Sequence, residues 1–137
     1  MATATLSKEI LEAHPSPAQI DREVLAACID ECLGCEQTCT ACADGSVAEE
    51  DVSELRRSIR LCLDCADVCD ATARVLTRQT EYVAETARAQ VSSCRAMCEV
   101  CAEECERHAD HHEHHRICAA ECRRCIETCD AVLDAIP

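Results

Sequence analysis

The spacing of the cysteines constrains this chain more than any other feature. Residues 26–43 read AACIDECLGCEQTCTACA, in which Cys28, Cys32, Cys35, Cys39 and Cys42 are separated alternately by four and three positions. Residues four and three apart share one face of an α-helix, and an alternating four-three pattern is the a/d seam of a heptad. The stripe returns at Cys62, Cys65 and Cys69, at Cys94, Cys98, Cys101 and Cys105, and at Cys118, Cys122, Cys125 and Cys129, which accounts for all 16 cysteines. Such stripes are buried together when they face one another, so the pattern predicts a helical bundle cored by sulfur.

Composition agrees with that expectation. The chain has 137 residues, a size suited to one domain, 1–137, with one core. It contains no Phe or Trp, a single Tyr (Tyr82), two Gly and three Pro, while Ala, Glu and Arg fill the positions between cysteines. Helix is therefore predicted almost throughout, with cysteine standing where Leu and Ile usually pack. A leader, residues 1–17, holds a short amphipathic helix over 6–14 that Pro15 and Pro17 terminate. The bundle, 18–135, is read as helices over about 18–43, 48–78, 81–108 and 112–135. Asp44-Gly45-Ser46 is read as the first turn, with Ser46 or the nearby acids as the next cap. No Gly or Pro marks the boundary near Thr80, so one bent helix over 48–108 is the alternative there. Short connections between long helices imply an all-α, antiparallel up-down-up-down four-helix bundle with a short N-terminal helix.

Charge narrows the partners. Lys plus Arg total 13 against 27 for Asp plus Glu, a net charge of −14, which repels nucleic acid and anionic membranes. No apolar run reaches the roughly 18 residues of a membrane span, and MATATLSKEILEAHPSP lacks a basic segment followed by an apolar one. A cytoplasmic protein is expected, and in that reducing compartment clustered cysteines are read as metal ligands rather than disulfides.

The two ends of the bundle differ. Ile20, Leu25, Leu76, Val83, Val91, Val132 and Ile136 are expected to plug one end with hydrocarbon. The other carries CERHADHHEHHRIC, residues 105–118. Three residues beyond Cys105 lies His108, and steps of three and four back from Cys118 reach His115 and His111, so these three histidines extend the cysteine column as candidate ligands. His112 and His114 fall off that register and read as a solvated helix start, as His14 reads as a surface residue. Met97, beside the seam, is read as packing with a thioether within reach of metal. Glu103-Glu104 and Glu49-Glu50-Asp51 read as solvated faces.

Soft thiolates select Cu(I), Zn(II) or iron–sulfur clusters. Four tetrahedral zinc sites would leave about eight uncompensated negative charges in a dry tube whose seams hold no Lys or Arg. Cu(I) shared between bridging thiolates, near one metal per thiol, leaves the core close to neutral. Iron–sulfur clusters meet the same charge objection, and C-x₂-C-x₂-C-x₃-C-P is absent. A disulfide-stapled scaffold would need an oxidising compartment. A thiol enzyme would need a distinguished nucleophile with an orienting base, so the protein is read as no enzyme.

The stretches CIDECLGCEQTCTACA and CAEECERHADHHEHHRICAAECRRCIETC resemble the cysteine-rich four-helix-bundle copper storage proteins of bacteria, and among them the cytosolic branch, over about residues 18–135. The resemblance implies interior cysteines holding many Cu(I) ions, a histidine-bearing mouth for metal passage and a homotetramer of bundles, with a copper chaperone or acceptor protein as partner. It also implies that His115 stands where a cysteine often occurs in the family, making a mixed Cys/His site. Zinc or iron–sulfur binding and a disulfide scaffold are the alternatives.

Overall fold

A computed structural model describes residues 5–137, so residues 1–4 of the expected leader lie outside the described residues. Five α-helices follow in order: α1 (Leu6–Ala13), α2 (Arg22–Val47), α3 (Arg56–Thr77), α4 (Ala84–His108) and α5 (Glu113–Ala135), with a single 3-10 turn at Val52–Glu54. The four long helices pack as an antiparallel ring in which each touches its chain neighbours and α5 closes on α2, while α1 lies against α2. This is the up-down-up-down bundle with a short leading helix that the cysteine register implies. Among the described residues no helix is long and apolar enough to cross a membrane.

Local chemistry sets most boundaries. The Thr5 side chain accepts from the Lys8 amide at 3.2 Å to start α1, and Asp21 Oδ1 accepts from the Glu23 and Val24 amides at 2.8 and 3.3 Å to start α2. The first turn falls later than Asp44-Gly45-Ser46, because α2 runs through all three residues to Val47. Ser46 caps nothing; its hydroxyl donates back to the Cys42 carbonyl at 2.8 Å, the bond a serine makes inside a helix. The chain then bends at residues 48–51, and α3 begins at Arg56, eight residues after the expected start at 48. Between α3 and α4 the helix breaks fully, which removes the bent-helix alternative. Glu81 takes φ 53° there, a left-handed conformation usually given to Gly, and no sequence signal marks it. Gln79 Nε2 closes the end of α3 by donating to the Leu76 carbonyl at 2.8 Å.

The core has the expected polarity. Leu25, Leu76, Val91 and Val132 are at most 1% exposed, and Ile20 and Ile136 are buried with them, so hydrocarbon fills the end where α2 starts and α3 stops. Val83 departs from its expected place in that plug: it stands just ahead of α4 as its N-cap, it is half exposed, and Tyr82 and Leu11 pack on the core instead.

Candidate metal centre

Every one of the 16 cysteines is reduced and at most 1% exposed. Their sulfurs approach one another at 3.6 to 4.0 Å, far outside the roughly 2.05 Å of a disulfide bond, so the stapled-scaffold alternative does not hold. The sulfurs form overlapping quartets whose members lie within 4.8 Å of one another. From the mouth inward, Cys42, Cys62, Cys105 and Cys118 come first, followed by Cys39, Cys101, Cys118 and Cys122. Cys35, Cys39, Cys65 and Cys122 lie next, then Cys35, Cys65, Cys69 and Cys98, then Cys69, Cys94, Cys98 and Cys125. Cys32 continues the column at 3.9 Å from Cys94 and 3.8 Å from Cys125, and Cys28 and Cys129 end it.

Adjacent quartets share sulfurs. Cys118 belongs to the first two, Cys39 and Cys122 to the second and third, and Cys35 and Cys65 to the third and fourth. The column is therefore a continuous lattice of donors about 21 Å long, judged from the 14 residue steps from Cys28 to Cys42. The thiols also share protons. Hydrogen bonds from Cys122 and its neighbours hold Cys35 below an ordinary thiol, and bonds from Cys105 and Cys118 do the same for Cys101. Their partners Cys65 and Cys118 are correspondingly pushed up.

Histidines close the mouth. The His115 ring lies 5.2 Å from that of His108, 5.4 Å from His112 and 4.7 Å from His114, centroid to centroid. It is fully buried, yet neither Nδ1 nor Nε2 has a hydrogen-bond partner. Burial holds its pKa below the usual histidine value and keeps the ring neutral, as a metal ligand must be. A neutral imidazole with neither nitrogen engaged has a lone pair to offer a soft metal above the thiol column. His108 joins His115, as the register implies. His111 does not: it is exposed on the turn between α4 and α5, because the helical register lapses over residues 109–112. His114, off register in the sequence, takes that place, with Nδ1 3.3 Å from Cys42 Sγ and Nε2 3.1 Å from Glu49 Oε2. Burial lowers the pKa of His114, but the Cys42 and Glu49 contacts more than offset it and leave it raised.

His112 sits between two carboxylates, Nδ1 against Glu49 and Nε2 3.0 Å from Asp51. Glu49 and Asp51 are thus partners of the histidines rather than a solvated face, and Glu104 is buried, whereas Glu50 and Glu103 are exposed. The signal for Glu104 was its place one turn before His108 on the flank of the seam. His14 is remote from the mouth: its Nδ1 accepts from the Ser16 amide at 3.0 Å, and its Nε2 is 3.5 Å from Thr80 Oγ1. Met97 packs, partly buried, against the core cluster.

Comparison with known proteins gives this geometry relatives. The sequence profile of the copper storage protein family matches residues 21–134. The structure of the copper storage protein Ccsp from Streptomyces lividans, loaded with 10 copper equivalents, superimposes with a TM-score of 0.92 and 46% identity, covering 94% of this chain and 98% of that one. A structure of a cytosolic copper storage protein from the same organism, with five coppers, gives a TM-score of 0.84 and 50% identity over 85% of this chain and 98% of the other. An uncharacterised cysteine-rich protein of Bacillus subtilis, YhjQ, is 31% identical over 103 residues, 75% of this chain and 90% of its own length.

Proposed function

The chain belongs to the copper storage protein family, and from that premise we propose that it holds many Cu(I) ions in the cytosol, near one per cysteine, on thiolates that bridge neighbouring metals. The observation that carries this reading is the sharing of sulfurs between successive quartets. A shared thiolate serves two metals at once, which suits low-coordinate Cu(I) and brings the metal count towards the thiol count. Isolated tetrahedral sites would call for sulfurs partitioned among them. The cytosolic assignment follows the relative described as cytosolic.

Metal passes by way of the histidines. Cys28, Cys32, Cys35, Cys39, Cys42, Cys62, Cys65, Cys69, Cys94, Cys98, Cys101, Cys105, Cys118, Cys122, Cys125 and Cys129 hold the cargo, with His115 and His108 as nitrogen ligands at the mouth and His114 beside Cys42. Its donor or acceptor is a copper-carrying protein that presents its own site to this end. The chain assembles as a homotetramer, a reading supported by Leu6, Ile10 and Leu33, which stand 83, 61 and 45% exposed around an apolar groove between α1 and the bundle. It stores metal and catalyses no reaction.

Anaerobic titration of the reduced protein with Cu(I) against a strong chelator tests the reading. Saturation at roughly 14–20 equivalents per chain, with release of thiol protons, is the expected outcome. A plateau near four equivalents would mean isolated sites and would contradict bridging storage.

A further inference from the structure

Beside the histidines, donors from two helices converge on one buried carboxylate. Glu104, on α4 one turn before His108, is 5% exposed. Its Oε1 accepts from Arg57 Nε at 3.2 Å and Arg107 Nη1 at 2.8 Å. Its Oε2 accepts from Ser58 Oγ at 3.1 Å and lies 3.2 Å from His108 Nε2. Arg57 and Ser58 open α3, so the carboxylate is fixed from the neighbouring helix as well as its own.

That arrangement decides the state of His108. A carboxylate held by two guanidinium groups and a hydroxyl is ionised, and an ionised carboxylate only accepts. The hydrogen between Glu104 and His108 therefore sits on Nε2, so in the neutral imidazole the lone pair is on Nδ1, which has no hydrogen-bond partner among the described residues. The contrast with its neighbours is chemical: carboxylates engage both nitrogens of His112, and His114 is shared between Glu49 and Cys42.

We infer that Glu104 is a positioning residue for copper capture: by holding His108 as the Nε2–H tautomer in a fixed orientation, it presents the Nδ1 lone pair beside His115 at the mouth of the thiol column. A carboxylate behind a histidine ligand fixes its tautomer and raises its basicity, and losing such a partner typically costs 10-fold or more in metal affinity or rate. This assignment rests on the storage reading above, because it presumes that copper reaches the thiols past the histidines.

Glu104→Gln separates positioning from packing. The arginines retain the amide oxygen, so the amide nitrogen replaces Oε2 and donates to His108 Nε2. The imidazole must then carry its hydrogen on Nδ1, and the lone pair turns away from the mouth. Nitrogen-15 NMR of the imidazoles in the copper-free protein is expected to show Nε2–H at His108 in the parent and Nδ1–H in the variant. Stopped-flow Cu(I) transfer from a chelator should slow about 10-fold, with the final copper content unchanged. An unchanged tautomer or an unchanged rate in Glu104→Gln overturns the assignment, and so does Nδ1–H at His108 in the parent, which needs no variant to fold. Failure of the parent to take up copper would overturn the storage reading instead, while the tautomer measurement, made without metal, still decides what Glu104 does to His108.

Discussion

Gly45 sits inside α2 with its α-carbon turned to the histidine mouth. A β-carbon built there would stand 3.4 Å from His114 Cδ2, a tight contact with the edge of a side chain that is itself partly exposed. A glycine within a helix costs about 0.5–1 kcal/mol relative to alanine, so Gly45→Ala is expected to stabilise the copper-free protein by about that amount in urea unfolding. Gly34, in the same helix, differs. A β-carbon there would lie 2.9 Å from Glu121 Oε1, and the Glu121 carboxylate is buried and paired with Arg124 at 2.7 Å. Gly34→Ala must displace that carboxylate and is expected to lose the helical gain; equal stabilisation by both substitutions would contradict this reading. The same two residues show what sequence reasoning reaches. The cysteine stripes are legible because a seven-residue period has one structural meaning. Asp44-Gly45-Ser46 misleads because its turn chemistry is generic, and α2 runs through all three residues without a bend.

Between α2 and α5 two carboxyl groups meet, Glu31 and Glu121, with Arg124 reaching both, at 3.9 and 2.7 Å. The neighbouring Glu121 carboxyl, helped by burial, raises Glu31 from 4.5 to about 7, with Cys125 acting in the same direction and Arg124 opposing. An unfolded glutamate releases this proton near 4.5 whereas the folded protein keeps it to about 7, so across that window the folded chain binds more protons and its stability falls as pH rises. In Glu31→Gln the amide donates to Glu121 at every pH, and this part of the fall should vanish. Urea midpoints of reduced, copper-free parent and variant between about pH 5 and about pH 8 measure the difference; parallel profiles would show that the pair shares no proton. The start of α1 was legible in its amphipathic pattern, but α2 begins at Arg22, behind the Asp21 cap and four residues after the expected 18, and no signal marked Glu81 or the 3-10 turn ahead of α3. The histidine register failed at His111, where it was carried into residues 109–112 that form no helix, while His114 reaches Cys42 from the first turn of α5, a contact that the a/d seam does not predict.

At the scale of the whole molecule, one argument from charge joins the parts. Sixteen thiols in a dry tube can all ionise only if each negative charge meets a cation, and the arginines are held outside, on acidic surface partners such as Asp64, Asp130 and Glu106. The metal itself must neutralise the core, which favours a monovalent ion in near-equal number. Burying the neutral thiols with Leu25, Leu76, Val91 and Val132 gives the bundle a core before any metal arrives, since a protonated cysteine packs as a small hydrophobe. On the proposed reading, capacity resides in the column and access in the mouth. The most direct measurement is anomalous diffraction at the copper edge from crystals of protein loaded with Cu(I) without oxygen. The expected result is a continuous string of copper sites between the sulfurs, from the Cys42–Cys118 level to the Cys28–Cys129 level. Copper confined to the histidines and the first quartet at saturation, or a few separate four-coordinate centres with the remaining thiols unbound, would contradict a shared sulfur column built for storage.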